Sequence, residues 1–427
     1  MSPSPEPFEP VGVAAPLTGT VVSLLAGVGD PVVAGRAVAV LESMKMEHEV
    51  AAPVSGRLAA VAAAVGQTVT AGDPLFVVEP GSVEHHAGPG EERTARSTTR
   101  SDLAEVLERQ ARTRDEARPE AVAKRHGYHL RTARENLADL CDAGSFTEFG
   151  ALALAAQRDR RSLEELIAST PADGLIGGVA RVNGGECVVV AYDYTVLAGT
   201  QGYYGHHKLD RLFELAARTR RPLVLFAEGG GGRPGDTSAP TVSGLEVMAF
   251  ALFGRLSGLV PLVGVVAGRC FAGNAALLGC CDVIIATADS SIGMAGPAMI
   301  EGGGLGRVHP DEVGPVSVQN ANGVIDVLVA DEADAVATGK QYLSYFQGPV
   351  DGWEAPDQEE LRYLVPEDRR RVYDVRAVIS GLADTGSVLE LRSGWGPGMV
   401  TALARLAGRP VGVIANNPGH LGGAIDS

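Results

Sequence analysis

Between Val11 and Glu79 the apolar residues come in short Val/Leu-rich runs with polar alternation and glycine punctuation. A period of two with such breaks predicts strands joined by tight turns. The pattern then repeats: residues 14–42 laid over 51–79 align without gaps at a register of 37. Ala14-Ala15-Pro16 falls on Ala51-Ala52-Pro53, Gly19 on Gly56, Gly29 on Gly66, Gly35 on Gly72 and Glu42 on Glu79. Two such halves predict a small all-β barrel or sandwich with a pseudo-two-fold axis. The connector between them, Glu42-Ser43-Met44-Lys45-Met46-Glu47, becomes an exposed turn.

From Pro80 to about Arg100 large apolar residues almost vanish, which predicts a disordered tether. A flexible chain of about 20 residues has a root-mean-square span of about 25 Å. The period changes at Ser101, where Leu103, Val106, Leu107 and Gln110 mark one face of a helix. A second helix carries Leu130, Ala133, Leu137 and Leu140, and ends in Asp142-Ala143-Gly144-Ser145.

From about Asp173 strand and helix alternate, which predicts a βαβ-type body. Val188–Ala191 reads as a buried strand, and Leu209, Leu212, Phe213 and Ala216 as a helix face. Strand Leu223–Phe226 runs into Gly229-Gly230-Gly231-Gly232, and a helix follows with Leu245, Met248, Ala249, Leu252 and Leu256. Strand Leu262–Ala267 enters the turn Ala272-Gly273-Asn274-Ala275 and a short helix, and Val283–Ala286 closes the series. This body repeats as well. Ala404-Arg405 stands 224 residues after Ala180-Arg181, and at that offset Gly408 meets Gly184, Ile414 meets Val190 and Leu421 meets Leu197. Just ahead, Asp384-Thr385-Gly386-Ser387 repeats Asp142-Ala143-Gly144-Ser145, with Glu390 answering Glu148.

Length and charge narrow the function. At 427 residues the chain has room for two or three domains. A net charge of −16 argues against nucleic acid as a partner, because phosphate contacts need concentrated positive charge. The apolar stretch Leu245–Ala267 is interrupted by Glu246 and Arg255, so no membrane span is expected. Cys141, Cys187, Cys270, Cys280 and Cys281 show neither metal-ligand spacing nor a disulfide framework, so no metal is expected. Met1–Pro10 lacks the basic-then-apolar pattern of a secretory leader, which makes a reducing cytoplasm the expectation.

Two places carry candidate chemistry. A lysine at a hairpin tip between two methionines is either a solvated surface residue, with the methionines leaning onto the barrel, or a modification site. Gly229–Asp236 lacks the Gly-Lys-Ser/Thr ending of a phosphate-binding loop. It is either a flexible surface loop or half of an oxyanion hole, in which backbone amides of Gly230-Gly231 and Gly273-Asn274 polarise a carbonyl.

The Met44-Lys45-Met46 triplet midway through a duplicated β domain resembles the biotin carboxyl carrier family. Residues 120–427 resemble the crotonase-like fold, and within it the acyl-CoA carboxyltransferases, most specifically at Gly230-Gly231-Gly232-Arg233, Ala272-Gly273-Asn274-Ala275 and Met294-Ala295-Gly296-Pro297. The first departs from the family's usual Ser-Gly-Gly-Ala-Arg in its extra glycines. The resemblance implies a multidomain chain: an all-β biotinyl/lipoyl barrel-sandwich followed by an α/β crotonase-like (ClpP/crotonase spiral) carboxyltransferase.

The expected boundaries are a carrier at 11–80, a linker at 81–100, a helical lead-in at 101–170, a first crotonase-like domain at 171–347, and a connector with the start of a second at 348–427. Against the first copy, roughly 140 residues of the second are wanting. A truncated C-terminal half, or a partner chain supplying it, is therefore expected.

The implied cofactor is biotin, amide-linked to Lys45, and the implied reaction moves CO2 from carboxybiotin to the α-carbon of an acetyl- or propionyl-like acyl-CoA. Gly230, Gly231, Gly273 and Asn274 would hold the thioester oxygen, with Arg233 and Gly296 against substrate. An ATP-dependent biotin carboxylase subunit and a biotin protein ligase are the expected partners, in a homo- or hetero-oligomer. The alternatives are a biotin-dependent acyl-CoA decarboxylase component and a non-catalytic carrier that binds acyl-CoA.

Overall fold

The first unit is built from β1 (Val11–Ala14), β2 (Gly19–Leu24), β3 (Pro31–Val32), β4 (Ala37–Ser43), β5 (Met46–Ala51), β6 (Gly56–Val61), β7 (Thr68–Val69) and β8 (Pro74–Pro80). In this computed structural model residues 9–83, 100–239 and 248–425 are described, and the chain divides into two units ahead of Arg100. Most of the expected tether lies outside the described residues, as does Leu245 of the helix expected around Met248.

Two antiparallel four-stranded sheets face each other, in the orders β1-β8-β6-β3 and β5-β4-β2-β7. β6, β7 and β8 begin 37 residues after β2, β3 and β4, so the sequence register is also the register of the fold. The core pairs off in the same way: Val21 with Leu58, Val32 with Val69, Val38 with Leu75, Leu41 with Val78. So do the main-chain bonds: the Val21 amide donates to the Gln67 carbonyl and that of Leu58 to the Asp30 carbonyl, both at 2.9 Å.

One glycine in each half shows why they repeat. A Cβ at Gly19 would stand 2.5 Å from the Glu42 carbonyl oxygen, and one at Gly56 would stand 2.0 Å from that of Glu79. By the same symmetry the counterpart of the Met44-Lys45 turn begins at Gly81, where the chain leaves the unit.

The second unit opens with α1 (Ser101–Ala111), α2 (Pro119–His126), α3 (Ala133–Leu140), β9 (Thr147–Glu148) and α4 (Leu163–Ser169). Next come β10 (Leu175–Val182), β11 (Gly185–Tyr192), α5 (Tyr203–Thr219), β12 (Leu223–Phe226), α6 (Ala249–Gly254), β13 (Leu262–Val266), β14 (Arg269–Phe271) and α7 (Gly273–Leu278). The first copy ends with β15 (Val283–Thr287), β16 (Ser291–Gly293), α8 (Pro297–Gly302), α9 (Val316–Ala321), β17 (Val327–Val329) and α10 (Glu332–Ser344).

A seven-stranded sheet runs β17-β15-β13-β12-β11-β10-β9, parallel from β11 to β17. Both faces are covered, which is why its central strands read as unbroken apolar runs. Val188, Val190, Leu223 and Leu225 pack under Leu209, Leu212 and Phe213 of α5. Val189, Ala191, Val224 and Phe226 pack on Leu137 and Leu140 of α3 and on Val336 and Leu343 of α10. A side chain so buried contributes about 1.5–3 kcal/mol.

Two sequence expectations need correction. The sheet does not close at Val283–Ala286, because β17 pairs beyond it. Leu130 precedes α3, which starts after a capping box of Thr132 and Glu135 that satisfies the first free amides. The helix expected from Ser101 is present as α1, and its stripe of Leu103, Val106 and Leu107 is exposed.

After α11 (Leu361–Leu364), the second copy consists of α12 (Val375–Leu382), β18 (Leu389–Leu391), β19 (Met399–Leu406) and β20 (Arg409–Asn416). β19 and β20 sit 224 residues after β10 and β11, end to end. Their cross-links repeat too. Arg134 holds Glu148 with two hydrogen bonds of 3.0 and 3.1 Å, and Arg376 holds Glu390 with bonds of 2.8 and 2.6 Å. Asp142 accepts the amides of Asn183 and Gly184, as Asp384 accepts those of Ala407 and Gly408. Among the described residues no helix is long and apolar enough to cross a membrane.

Candidate active site

In the first unit β4 and β5 are joined by two residues, Met44 and Lys45, with Ser43 paired to Met46. A two-residue hairpin loop matches the twist of its strands when both central residues take left-handed φ. Here they do, at 51° and 67°. Neither is glycine, and each such residue costs roughly 1 kcal/mol. The methionines do not lean on the barrel: Met44 is 94% exposed and Met46 65%. Lysine and both thioethers stand in water at the end of an edge strand whose Glu47, His48 and Glu49 are also exposed. Two large apolar side chains are thus held out in solvent beside an amine. The attachment expected at Lys45 fits this geometry, since Nζ is open to a modifying enzyme.

In the second unit the glycine loops lie side by side. β12 ends at Phe226, and Gly229 pairs with β14, its amide donating to the Arg269 carbonyl and its carbonyl accepting from Phe271, both at 2.8 Å. β14 turns into α7 through Ala272, at φ 51° and ψ −119°. This strained conformation is of a kind that collects at functional sites. A Cβ on Gly231 would lie 2.6 Å from the Ala272 Cβ, and one on Gly273 would lie 2.1 Å from Gln201 Oε1. Gln201 is itself tied to the Tyr192 hydroxyl at 3.0 Å.

Which amides remain open differs from the sequence expectation. The Gly230 amide donates to the Ala198 carbonyl at 3.1 Å, and the Gly231 amide donates to Asn274 Oδ1 at 3.0 Å. Asn274 is fully buried, and its Nδ2 also donates to the Gly199 carbonyl at 3.3 Å. Gly232 is different. Gln201 bridges to it in parallel, taking the Gly231 carbonyl at 2.7 Å and the Arg233 amide at 3.1 Å. In such a pairing the central residue's own N–H points to the opposite edge. In α7 the first intrahelical bond runs from Ala276 to Ala272, so the amides of Gly273 and Asn274 have no acceptor within the helix. Among the described residues the amides left without an acceptor across the two loops are therefore those of Gly232 and Gly273, with Asn274 behind. Gly230 and Gly231 are structural.

Arg233 is a brace, not a substrate ligand. It is buried, its Nη1 is paired to Asp173, its Nε reaches Thr200 Oγ1 at 3.1 Å, and its Nη2 reaches the Thr200 carbonyl at 2.8 Å. The same Asp173 accepts the Gly205 amide in the first turn of α5 at 2.7 Å. Gly296 is the N-cap of α8, packed on Phe271, and Met294 and Met299 beside it are well exposed.

A second buried pair has no signal in the sequence. Glu228, the residue before the glycine run, takes Arg125 Nη1 at 2.8 Å and is also bound by Nη2. Burial pushes its carboxyl up to about 7 against the pull of Arg125.

Comparison with known proteins gives this geometry a context. The family described as carboxyl transferase domain matches residues 126–427, and that described as biotin-requiring enzyme matches residues 11–78. The methylmalonyl-CoA carboxyltransferase 12S subunit of Propionibacterium freudenreichii subsp. shermanii is 33% identical over 71% of this chain and 59% of its own length. The biotin-dependent long chain acyl-coenzyme A carboxylase beta4 subunit of Mycobacterium tuberculosis is 31% identical over 77% of this chain and 64% of its own. Among solved structures, a single-chain, multi-domain long-chain acyl-CoA carboxylase superposes with a TM-score of 0.75 at 56% identity, covering 98% of this chain and 40% of that one. The chain thus spans about three fifths of the curated relatives' length.

Proposed function

The chain belongs to the carboxyl transferase family and carries a biotin-requiring domain, and from that premise we propose that it moves a carboxyl group between biotin on Lys45 and the α-carbon of an acyl-CoA. The observation that carries this reading is that the two glycine loops touch at Gly231 and Ala272 and, among the described residues, leave the Gly232 and Gly273 amides without an acceptor. Both would donate to the thioester oxygen, which gains charge as the α-proton leaves. Fixed donors stabilise that charge without reorganising, and removing one costs about 10²–10³ in rate. Glu228 and Asp173 are each locked to an arginine, so the protein's part is to hold the oxygen and not to take the α-proton. Biotin, when bound, supplies the carboxyl group and a ureido nitrogen to accept that proton.

The acyl group is proposed to be long, because the 56% identical relative is a long-chain acyl-CoA carboxylase. Exposed Met294, Met299 and Leu305 add apolar surface on and around α8, in keeping with a long tail. A biotin carboxylase, a biotin protein ligase and an oligomeric assembly belong to the same proposal. The five free thiols suit a reducing cytoplasm.

Two measurements test it. Co-expression with a biotin ligase should give a streptavidin-reactive band that is absent in Lys45→Arg; a band surviving in that variant sinks the attachment. Calorimetry should show palmitoyl-CoA binding tighter than propionyl-CoA, and the reverse order removes the long-chain assignment.

A further inference from the structure

Glu228 touches both donor loops at once. Its backbone leads directly into Gly229–Gly232, and a Cβ on Gly199 would stand 2.6 Å from its carbonyl oxygen. Its side chain lies under the crossover from β13 to β14, where Gly268 holds φ at 100° and a Cβ would sit 2.4 Å from Glu228 Oε1. That crossover runs through β14 to Gly273. Glu228 therefore sits between the strand end that leads to Gly232 and the crossover that leads to Gly273.

What fixes the carboxylate comes from outside the sheet. Arg125 of α2 binds it through both terminal nitrogens while its Nε donates to the Arg131 carbonyl at 2.9 Å, and its guanidinium stacks 5.6 Å from the Tyr194 ring centre. Glu332 at the start of α10 lies 3.9 Å from the same guanidinium, and it is held by Asn136 Nδ2 at 2.8 Å and the Arg131 amide at 2.6 Å. Asp193, which follows β11, is answered by Arg118 at 2.7 Å. The charged and titratable groups around Glu228 are thus Arg125, Glu332 and Asp193, with the buried Cys270 thiol of β14.

We propose that the Arg125–Glu228 pair is a positioning device, through which the helices ahead of the sheet set the spacing of the Gly232 and Gly273 amides. It rests on the acyl-CoA reading above and names how that site is held. A buried bidentate pair transmits position because neither partner can rotate without leaving a charge uncompensated. Glu228→Gln keeps the shape but gives the arginine one acceptor where it had two, so the donors lose alignment while the pocket keeps its form.

The test uses the full chain and two ligands. One is acyl-CoA; the other is a nitroalkyl thioether of CoA, whose nitronate places negative charge close to where the enolate oxygen would be. Glu228→Gln should weaken the nitronate roughly tenfold or more, since small misplacements near reacting atoms are costly, while acyl-CoA stays within about twofold. Arg125→Lys, which keeps the charge but loses the fork, should show the same split and serves if the glutamine variant fails to fold. Equal loss for both ligands, or for neither, in a folded variant overturns the positioning role. If wild-type chain binds neither ligand, the acyl-CoA reading falls first and the positioning role with it.

Discussion

The two copies in the body fold the same hairpin into different surroundings. In the first, β11 is interior to the sheet and Val190 is completely buried; in the second, β20 ends a three-stranded sheet and Ile414, at the equivalent position, is 77% exposed. Yet β19 and β20 keep the register of β10 and β11 residue for residue, with the same arginine–glutamate clamp and the same aspartate cap on the turn. The hairpin is coded locally, whereas its burial depends on what packs beside it. The donor loops belong to the strands after β11, so among the described residues only the first copy carries them.

The largest contrast should come from the clamps. Glu148 and Arg134 are almost wholly buried, whereas Arg376 is more than a third exposed. Glu148→Ala leaves a buried guanidinium uncompensated and should cost about 3–5 kcal/mol in urea unfolding. Glu390→Ala should cost no more than about 1 kcal/mol, since solvent screens the exposed pair. Equal losses would mean that the copies share one stability environment.

Next in size is the donor site. Gly273→Val drives a side chain into Gln201 and should weaken acyl-CoA binding at least 100-fold by calorimetry, a loss of about 2.7 kcal/mol. In the second copy Gly422, the counterpart of Ala198, faces open space and shares its left-handed backbone, so Gly422→Ala should leave binding unchanged. An effect there would place the second copy's turn in the acyl-CoA site.

Burial gives a smaller, graded test. Val190→Ala should cost about 2 kcal/mol through lost contact and a small cavity, while Ile414→Ala should stay within about 0.5 kcal/mol. A cost at Ile414 as large as that at Val190 would show that something covers β20.

The smallest expected effect is a pH dependence confined to the first copy. Burial pushes the Glu228 carboxyl up to about 7 from an ordinary 4.5. Above 7 it is ionised and paired, so wild type should exceed Glu228→Gln in nitronate affinity; as pH falls through 7 the ratio should shrink toward one. Because the folded value is the higher one, this group's contribution to stability decreases as pH rises from 4.5 to 7. Acid therefore does not unfold the chain through Glu228. A ratio that stays constant from pH 8 to 6 would show that ionisation at Glu228 plays no part.

Much of the molecule was determined by sequence alone. The 37-residue register gave the two matching β halves and the exposed Lys45 turn between them, because period-two alternation and glycine turns are short-range rules. The 224-residue register gave the second hairpin for the same reason. Tertiary structure decided the rest. Gly230 and Gly231 read as donors until Asn274, 43 residues beyond Gly231, takes one amide and Ala198 the other. Arg233 read as a substrate ligand until Asp173, 60 residues before it, takes its charge. Arg125 and Glu228, 103 residues apart, carry no shared motif. The stripe on α1 has the period of a core helix, yet none of its residues is buried. A hydrogen-bonding group is free or spent according to what the fold brings within about 3 Å of it, and only packing sets that distance.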